Sequence, residues 1–272
     1  MATFVNRLFW FLVKLCLRQR YRVRIEGAEQ LLQLQGPTLV LPNHPAYVDP
    51  IILLSHLRLH QPLRPLVFAG TYRMPVLRPL MGISRAFEVP DLSAASRDAQ
   101  ARTVEMIDSV VDRLADGDCF LIYPSGRLQR GNREVIGAAR AVHDIVSRSP
   151  QANIVLVRTR GLWGSKFSCA RAGVVPNLAQ AALESLGWLL ASCVFFLPRR
   201  PVKLVVEVVS RSRLPLESRE AFNAGLEDWY NADGGQEPLF VPYHHLFGPR
   251  TGDFNRRASG DLVDLSKVKP KT

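Results

Sequence analysis

The sequence contains no run of about 20 uncharged apolar residues, the length a helix needs to cross a bilayer, so no transmembrane helix is expected. A secretory leader is not expected either: the N-terminal apolar stretch is interrupted by Arg7 and Lys14, and no small-residue cleavage site follows. Cysteine is scarce. Cys16, Cys119, Cys169 and Cys193 are widely spaced without a C-x-x-C, which argues against a zinc site or a disulfide framework and for buried free thiols in a reducing compartment. Internal repeats and low-complexity linkers are absent, so one domain is the default. Acidic residues fall short of basic ones, 24 against 35, leaving a formal net charge of +11. That balance asks for an anionic partner: nucleic acid, an anionic membrane or a polyphosphate ligand. No nucleic-acid-binding motif accompanies the charge, and the basic residues are scattered or flank apolar segments, so nucleic acid is not the expected partner.

What is present begins with enough apolar material for a core: 47% of 272 residues are hydrophobic. Short apolar or alternating runs read as strands at 22–26, 38–42, 65–69, 84–89, 119–123, 154–157 and 202–209. Between them, 51–57, 93–116 and 135–147 read as helices. In the second of these Val104, Ile107, Val110, Val111 and Leu114 share a face. Strands alternating with helices predict a single α/β domain, a mostly parallel central sheet flanked by helices. Ligands in such sheets sit beyond the carboxyl ends of strands.

Two segments are unusually apolar at their surfaces. Phe4 to Leu17 carries Phe9, Trp10 and Phe11 and runs into Arg18, Arg20, Arg22 and Arg24; Leu186 to Leu197 ends in Pro198-Arg199-Arg200. Apolar segments with aromatics and adjacent arginines suit the interface of an anionic leaflet, and buried core helices with solvated ends would read the same way. The expected organisation is a membrane-associating amphipathic helix at 1–20, a catalytic domain at 21–248 and a polar, disordered tail at 249–272.

His44 and Asp49 form H-x-x-x-x-D directly after the 38–42 strand. A neutral imidazole accepts a proton near pH 7, and a carboxylate on its other nitrogen sets the tautomer and stabilises the imidazolium. Such a pattern arises by chance in roughly one chain in four of this composition, and Asp49 could equally cap the helix that Pro50 opens. Further along, Phe120-Leu121-Ile122-Tyr123-Pro124-Ser125-Gly126-Arg127 follows another strand. His244-His245 lacks acidic or cysteine neighbours for a metal site, and Ser125 lacks the first glycine of a nucleophile elbow.

Read together, Asn43-His44-Pro45-Ala46-Tyr47-Val48-Asp49 and Tyr123-Pro124-Ser125-Gly126-Arg127 resemble, in this order, the glycerophospholipid acyltransferase family, which includes 1-acylglycerol-3-phosphate acyltransferase. Pro75 to Gly82 and Ile154 to Gly164 resemble the intervening and following blocks, so the likeness spans about Tyr21 to Val209. The resemblance implies His44 as general base oriented by Asp49, with Ser125, Gly126, Arg127 and Arg130 in the loop that binds the acceptor's phosphate. It implies acyl-CoA or acyl carrier protein as acyl donor, a lysophospholipid acceptor, membrane lipids as surroundings at the cytoplasmic face, and neither cofactor nor metal. Two positions depart from the pattern: Ser125 replaces a usual glutamate and Pro90 a frequent arginine. Both belong to the acceptor end. Pro124-Ser125-Gly126-Arg127 and the Arg160 to Ser168 stretch look more like the branch that reacylates lysophospholipids with phosphodiester head groups, such as 2-acylglycerophosphoethanolamine. A hydrolase using the same pair on water, or a catalytically silent lipid-binding protein, are the alternatives.

Overall fold

The short apolar runs become a sheet whose central strands are buried on both faces, while the alternating runs at 21–26 and 200–209 expose one face. The computed structural model of the chain describes residues 2–90, 97–171, 173–191 and 198–242. Its strands are β1 (Tyr21–Glu26), β2 (Thr38–Pro42), β3 (Leu63–Phe68), β4 (Phe87–Val89), β5 (Cys119–Leu121), β6 (Asn153–Arg160) and β7 (Arg200–Val209). Among the described residues they form one seven-stranded sheet in the order β1-β7-β6-β2-β5-β3-β4. From β6 to β4 all neighbours are parallel. β7 runs antiparallel to β6 and parallel to β1. The expected single α/β domain with a mostly parallel sheet is what forms.

The helices are α1 (Ala2–Arg20), α2 (Asp49–His56), α3 (Ala69–Tyr72), α4 (Arg78–Ile83), α5 (Arg97–Ala115), α6 (Ala141–Arg148), α7 (Leu178–Ala191) and α8 (Arg219–Tyr230). Successive side chains of a strand point to opposite faces. Leu39, Leu41, Phe120, Ile122, Ile154 and Leu156 therefore enter one core, where Ile107, Val110 and Leu114 of α5, Val142, Ile145 and Val146 of α6, and Phe222 and Leu226 of α8 cover them. Val40, Leu121, Val155 and Val157 enter the other, beneath Ile52 and Leu53 of α2. Continuous apolar runs such as Thr38–Pro42, buried throughout, are what a doubly covered parallel strand requires. Each fully buried Leu or Ile contributes about 1.5–3 kcal/mol.

Several boundaries differ from expectation, each for a local reason. The strand expected at 84–89 shrinks to Phe87–Val89 because α4 closes through Arg85 in a left-handed conformation (φ 52°), with Ala86 N–H returning to Met81 O at 2.9 Å. The helix expected from Val135 starts only at Ala141. The N–H groups of Ile136 and Gly137 are taken by Glu227 Oε1 of α8 at 2.6 and 2.8 Å, which holds that stretch as a loop. Val104 is 48% exposed and leaves the α5 core face to Met106, Ile107, Val110 and Leu114. Cys119 and Cys169 are buried free thiols as expected, whereas Cys16 lies exposed on α1; Cys193 lies outside the described residues.

The chain order places a crevice. After β2 the chain crosses to α2 on one face of the sheet; after the adjacent β5 it crosses to α6 on the other. Loops leaving neighbouring parallel strands to opposite faces must part at the carboxyl edge, and that parting is where open α/β sheets bind ligands. The two loops are those of His44 and of Ser125-Gly126-Arg127.

Candidate active site

β2 hands its direction to His44 through Asn43. Pro42 has no N–H, so the ladder to β6 would fail there. Asn43 continues it: its N–H donates to Val157 O at 3.3 Å, its Oδ1 accepts from Thr159 N–H at 2.7 Å, and its Nδ2 donates to Thr159 O at 3.2 Å. The backbone of the next residue is tied on both sides. His44 O accepts from Gln129 N–H at 2.8 Å, and His44 N–H donates to Glu134 Oε2 at 3.3 Å. Tyr47 N–H donates to Phe167 O at 3.0 Å. Loops after β2, β5 and β6 are thereby joined, over a small apolar cluster of Leu128, Trp163 and Cys169 with Tyr47 against it.

The imidazole of His44 is partly exposed, with its Nδ1 buried. It stacks on the Tyr123 ring, centroids 3.8 Å apart and planes at 22°. Tyr123 Oη donates to Asp49 Oδ2 at 2.9 Å. Asp49 is fully buried at the first residue of α2, and its carboxylate turns to Tyr123 rather than capping the helix. Neither His44 Nδ1 nor Asp49 Oδ1 has a hydrogen-bond partner among the described residues. The sheet thus brings the two predicted residues to one edge, where Tyr123 touches both. The hydrogen bond between them is not made in this state.

Burial governs the charges. It lowers the His44 imidazole well below its usual range, so the ring is neutral at pH 7 and able to accept a proton. It raises Asp49 to about 7, opposed by the hydroxyls of Thr159 and then Tyr123 and reinforced by the Glu134 charge. The Tyr123 hydroxyl, raised well above its ordinary value by burial and then by Asp49, remains a donor.

On the other loop, Ser125 is buried and its Oγ donates to Arg127 O at 2.9 Å, while Gly126, Arg127 and Arg130 are exposed. Gly126 N–H closes a turn onto Tyr123 O at 2.9 Å with φ +63°. A side chain there would meet nothing within 4 Å, so glycine serves the left-handed backbone rather than space. Gly161 differs: at φ +91° its added Cβ would stand 2.2 Å from Pro201 O, so β6 can pass β7 only without one. Two site residues escaped sequence reasoning. Tyr123 was visible only as the last residue before Pro124, and Glu134, a carboxylate 3% exposed beneath the His44 backbone, carried no sequence signal.

The segment resembling the family's second block, Pro75 to Gly82, helps line a separate cleft of about 490 Å³ bounded by Tyr72, Arg73, Arg78, Met81, Gly82 and Glu88, with Arg73 paired to Glu88 at 2.8 Å. None of His44, Asp49 or residues 125–130 lines it. Two arginines expected in solvated basic clusters are structural. Arg20 is buried and donates to the carbonyls of Pro198, Val241 and Pro242. Arg200 donates to Gly161 O, Leu239 O and Gly164 O. A buried guanidinium needs such acceptors. Among the described residues, no group of three or more His, Cys, Asp or Glu is placed to hold a metal ion. His244-His245 and the 249–272 tail lie outside the described residues.

A mostly parallel sheet thus carries His44 and the buried Asp49 at its switch point, with Tyr123 in contact with both. Residues 22–181 match the sequence model of the acyltransferase family, and the chain belongs to that family; it is an acyltransferase. No curated protein sequence matches it. Among solved structures, the crystal structure of the 1-acyl-sn-glycerophosphate (LPA) acyltransferase PlsC from Thermotoga maritima is similar in fold, with a TM-score of 0.58 at 12% identity over 85% of this chain and 79% of that one.

Proposed function

We propose that this acyltransferase moves a fatty-acyl group from a thioester, acyl-CoA or acyl carrier protein, to the free hydroxyl of a lysophospholipid at the cytoplasmic face of a membrane. His44 takes the proton of the acceptor hydroxyl as that oxygen forms a bond to the thioester carbonyl carbon. The tetrahedral intermediate expels the thiolate, and the imidazolium returns the proton to sulfur, leaving the acylated lipid and a free thiol. The thioester is already activated, so neither metal nor organic cofactor enters. Asp49 acts by receiving Nδ1–H of His44 on its Oδ1. Two buried polar atoms now without partners each cost about 1–3 kcal/mol, and a shift that joins them relieves both while Tyr123 keeps the other carboxylate oxygen. The exposed Gly126, Arg127 and Arg130 border the opening with buried Ser125 behind them, and arginine suits the acceptor's phosphate by geometry and charge.

Membrane association is proposed on the apolar stripe of α1. Leu8, Phe11, Leu12 and Leu15, at helical spacing, are 46–58% exposed on that helix. α7 likewise exposes Leu183, Leu186, Trp188 and Leu190. Among the described residues no helix is long and apolar enough to cross a membrane. In this reading α1 precedes a catalytic unit spanning 21–248, with 249–272 as a tail.

The observation that carries the reading is the His44 ring stacked on Tyr123, whose hydroxyl holds the buried Asp49 carboxylate, at the switch point of a family acyltransferase. The test is transfer of labelled acyl groups from acyl-CoA to lysophospholipid by the full chain and by His44→Ala. A loss on the order of 10²–10⁴ is expected, as for removal of a positioned base. Near-normal turnover by H44A would remove His44 from catalysis. Release of free fatty acid, equal with and without acceptor, would mark a hydrolase instead.

A further inference from the structure

Glu134 is a buried carboxylate that the mechanism above does not use. Its backbone is clamped by Asn231, just after α8: Glu134 N–H donates to Asn231 Oδ1 at 3.0 Å, and Asn231 Nδ2 donates to Glu134 O at 2.9 Å. Its side chain turns inward, where Oε2 accepts the N–H of His44 at 3.3 Å. The Ser125 hydroxyl and the Arg127 charge favour its ionised form. The carboxylate sits against the His44 backbone, which Gln129, from the loop that carries Ser125 and Arg127, holds from the other side. A buried acid that merely filled space would be an unfavourable choice, because burial of a charge is costly.

We propose that Glu134 is a specificity-determining residue, whose carboxylate subtracts positive potential from the Arg127 end of the site and so disfavours a dianionic phosphomonoester acceptor against a monoanionic phosphodiester one. The proposal rests on the acyltransferase reading for its substrates, but not for its electrostatics. A phosphomonoester approaches two negative charges near pH 7, whereas a phosphodiester carries one. Two like charges on either side of one guanidinium compete for it, and the competition grows with ligand charge. Burial raises Glu134 to about 7, opposed by Ser125, the His44 N–H and Arg127 and reinforced by Glu227. The other ionisable groups that feel it are Asp49, Tyr123 and Tyr230. Above pH 7 the carboxylate carries its charge.

The experiment compares the full chain with Glu134→Gln and Glu134→Asp at pH 8. The amide keeps an oxygen for the His44 N–H and loses only the charge; the aspartate keeps the charge. With one labelled acyl-CoA, the ratio of kcat/KM for lysophosphatidic acid to that for lysophosphatidylethanolamine should rise at least fivefold in E134Q and stay within twofold of wild type in E134D. Purely structural damage would lower both acceptors alike. A readout without turnover is the apparent Kd of inorganic sulfate, a dianion that does not titrate here, followed on the Arg127 Nε–H resonance. It should fall at least threefold in E134Q. In the unaltered chain and in Asp49→Asn it should be lower at pH 6 than at pH 8, which keeps the test open if E134Q does not fold. An unchanged acceptor ratio together with an unchanged sulfate Kd overturns the proposal and leaves acyl transfer standing. A changed sulfate Kd without transfer to any acceptor sustains the role of Glu134 and rejects the lysophospholipid reading.

Discussion

A histidine whose burial holds it neutral cannot set the acid limb of a pH–rate profile near 6.5, where an ordinary imidazole would. In this site the groups raised to about 7 are Asp49 and Glu134, and the Glu134 charge is among the causes that raise Asp49, so the limb belongs to the pair. Activity should rise through about pH 7. Tyr123→Phe should move that limb upward, because the lost hydroxyl is one that holds Asp49 down. The ring stacked on His44 remains, and stability should fall by about 1–3 kcal/mol for the newly unpartnered Asp49 oxygen. A limb unmoved in Y123F would assign it elsewhere. Stability runs opposite to activity. Both acids have folded-state values above their unfolded ones, so their contribution is fully present below about pH 4 and is lost as pH rises through about 7. Thermal unfolding of Asp49→Asn between pH 4 and 8 should show a flatter dependence than that of the unaltered chain, with Glu134 supplying what remains.

At the scale of elements, the same kind of helix serves two purposes. α5 and α6 bury their apolar stripes against the sheet, whereas α1 turns Leu8, Phe11, Leu12 and Leu15 outward while packing beside α2, the helix that carries Asp49. In the proposed reading, a helix that buries one face against α2 and offers another to lipid would hold the site near its substrate. The pair Leu12→Asp and Leu15→Asp changes only exposed positions, so the fold should survive. Sedimentation with anionic vesicles should drop at least tenfold, since each lost leucine removes apolar burial and adds a charge to an interface that repels it. The unaltered chain should need detergent as well as salt for full release. Release by salt alone would mean that arginines such as Arg18, Arg22 and Arg24, which are exposed, suffice without the leucines.

For the whole molecule, the decisive quantity is which acceptor the charged opening prefers. The net charge of +11 draws every anionic lipid and distinguishes none. In the proposed reading, selection rests on the loop after β5, where Ser125 is buried and Arg127 is exposed, and on the buried Glu134. Zwitterionic lysophospholipids should therefore compete well with lysophosphatidic acid in a side-by-side panel with one labelled acyl-CoA. A preference for lysophosphatidic acid of about 100-fold, some 2.7 kcal/mol of transition-state discrimination, would reject the phosphodiester acceptor and leave the family assignment untouched. Arg78, which lines the cleft beside α4, is the residue to examine in that event.

Much of this molecule was legible along the chain. Strand and helix types followed from periods of 2 and 3.6, because a side chain's face depends only on its own backbone. His44 and Asp49 were legible as a pair because one local string holds both, and because that string together with Tyr123 to Arg127 resembles two blocks of a known family. The rest required chain segments that periodicity does not relate. Tyr123 reaches Asp49 only because β5 pairs with β2; Glu134 reaches His44 only because Glu227 of α8 and Asn231 just after it hold its loop out of helix. Arg20 and Arg200 read as basic flanks of apolar segments at a membrane interface and proved to be buried clamps on carbonyls. Local sequence determined which elements form and where His44 and Asp49 lie along them. Tertiary packing alone decided which groups lose water, and loss of water is what sets their charge.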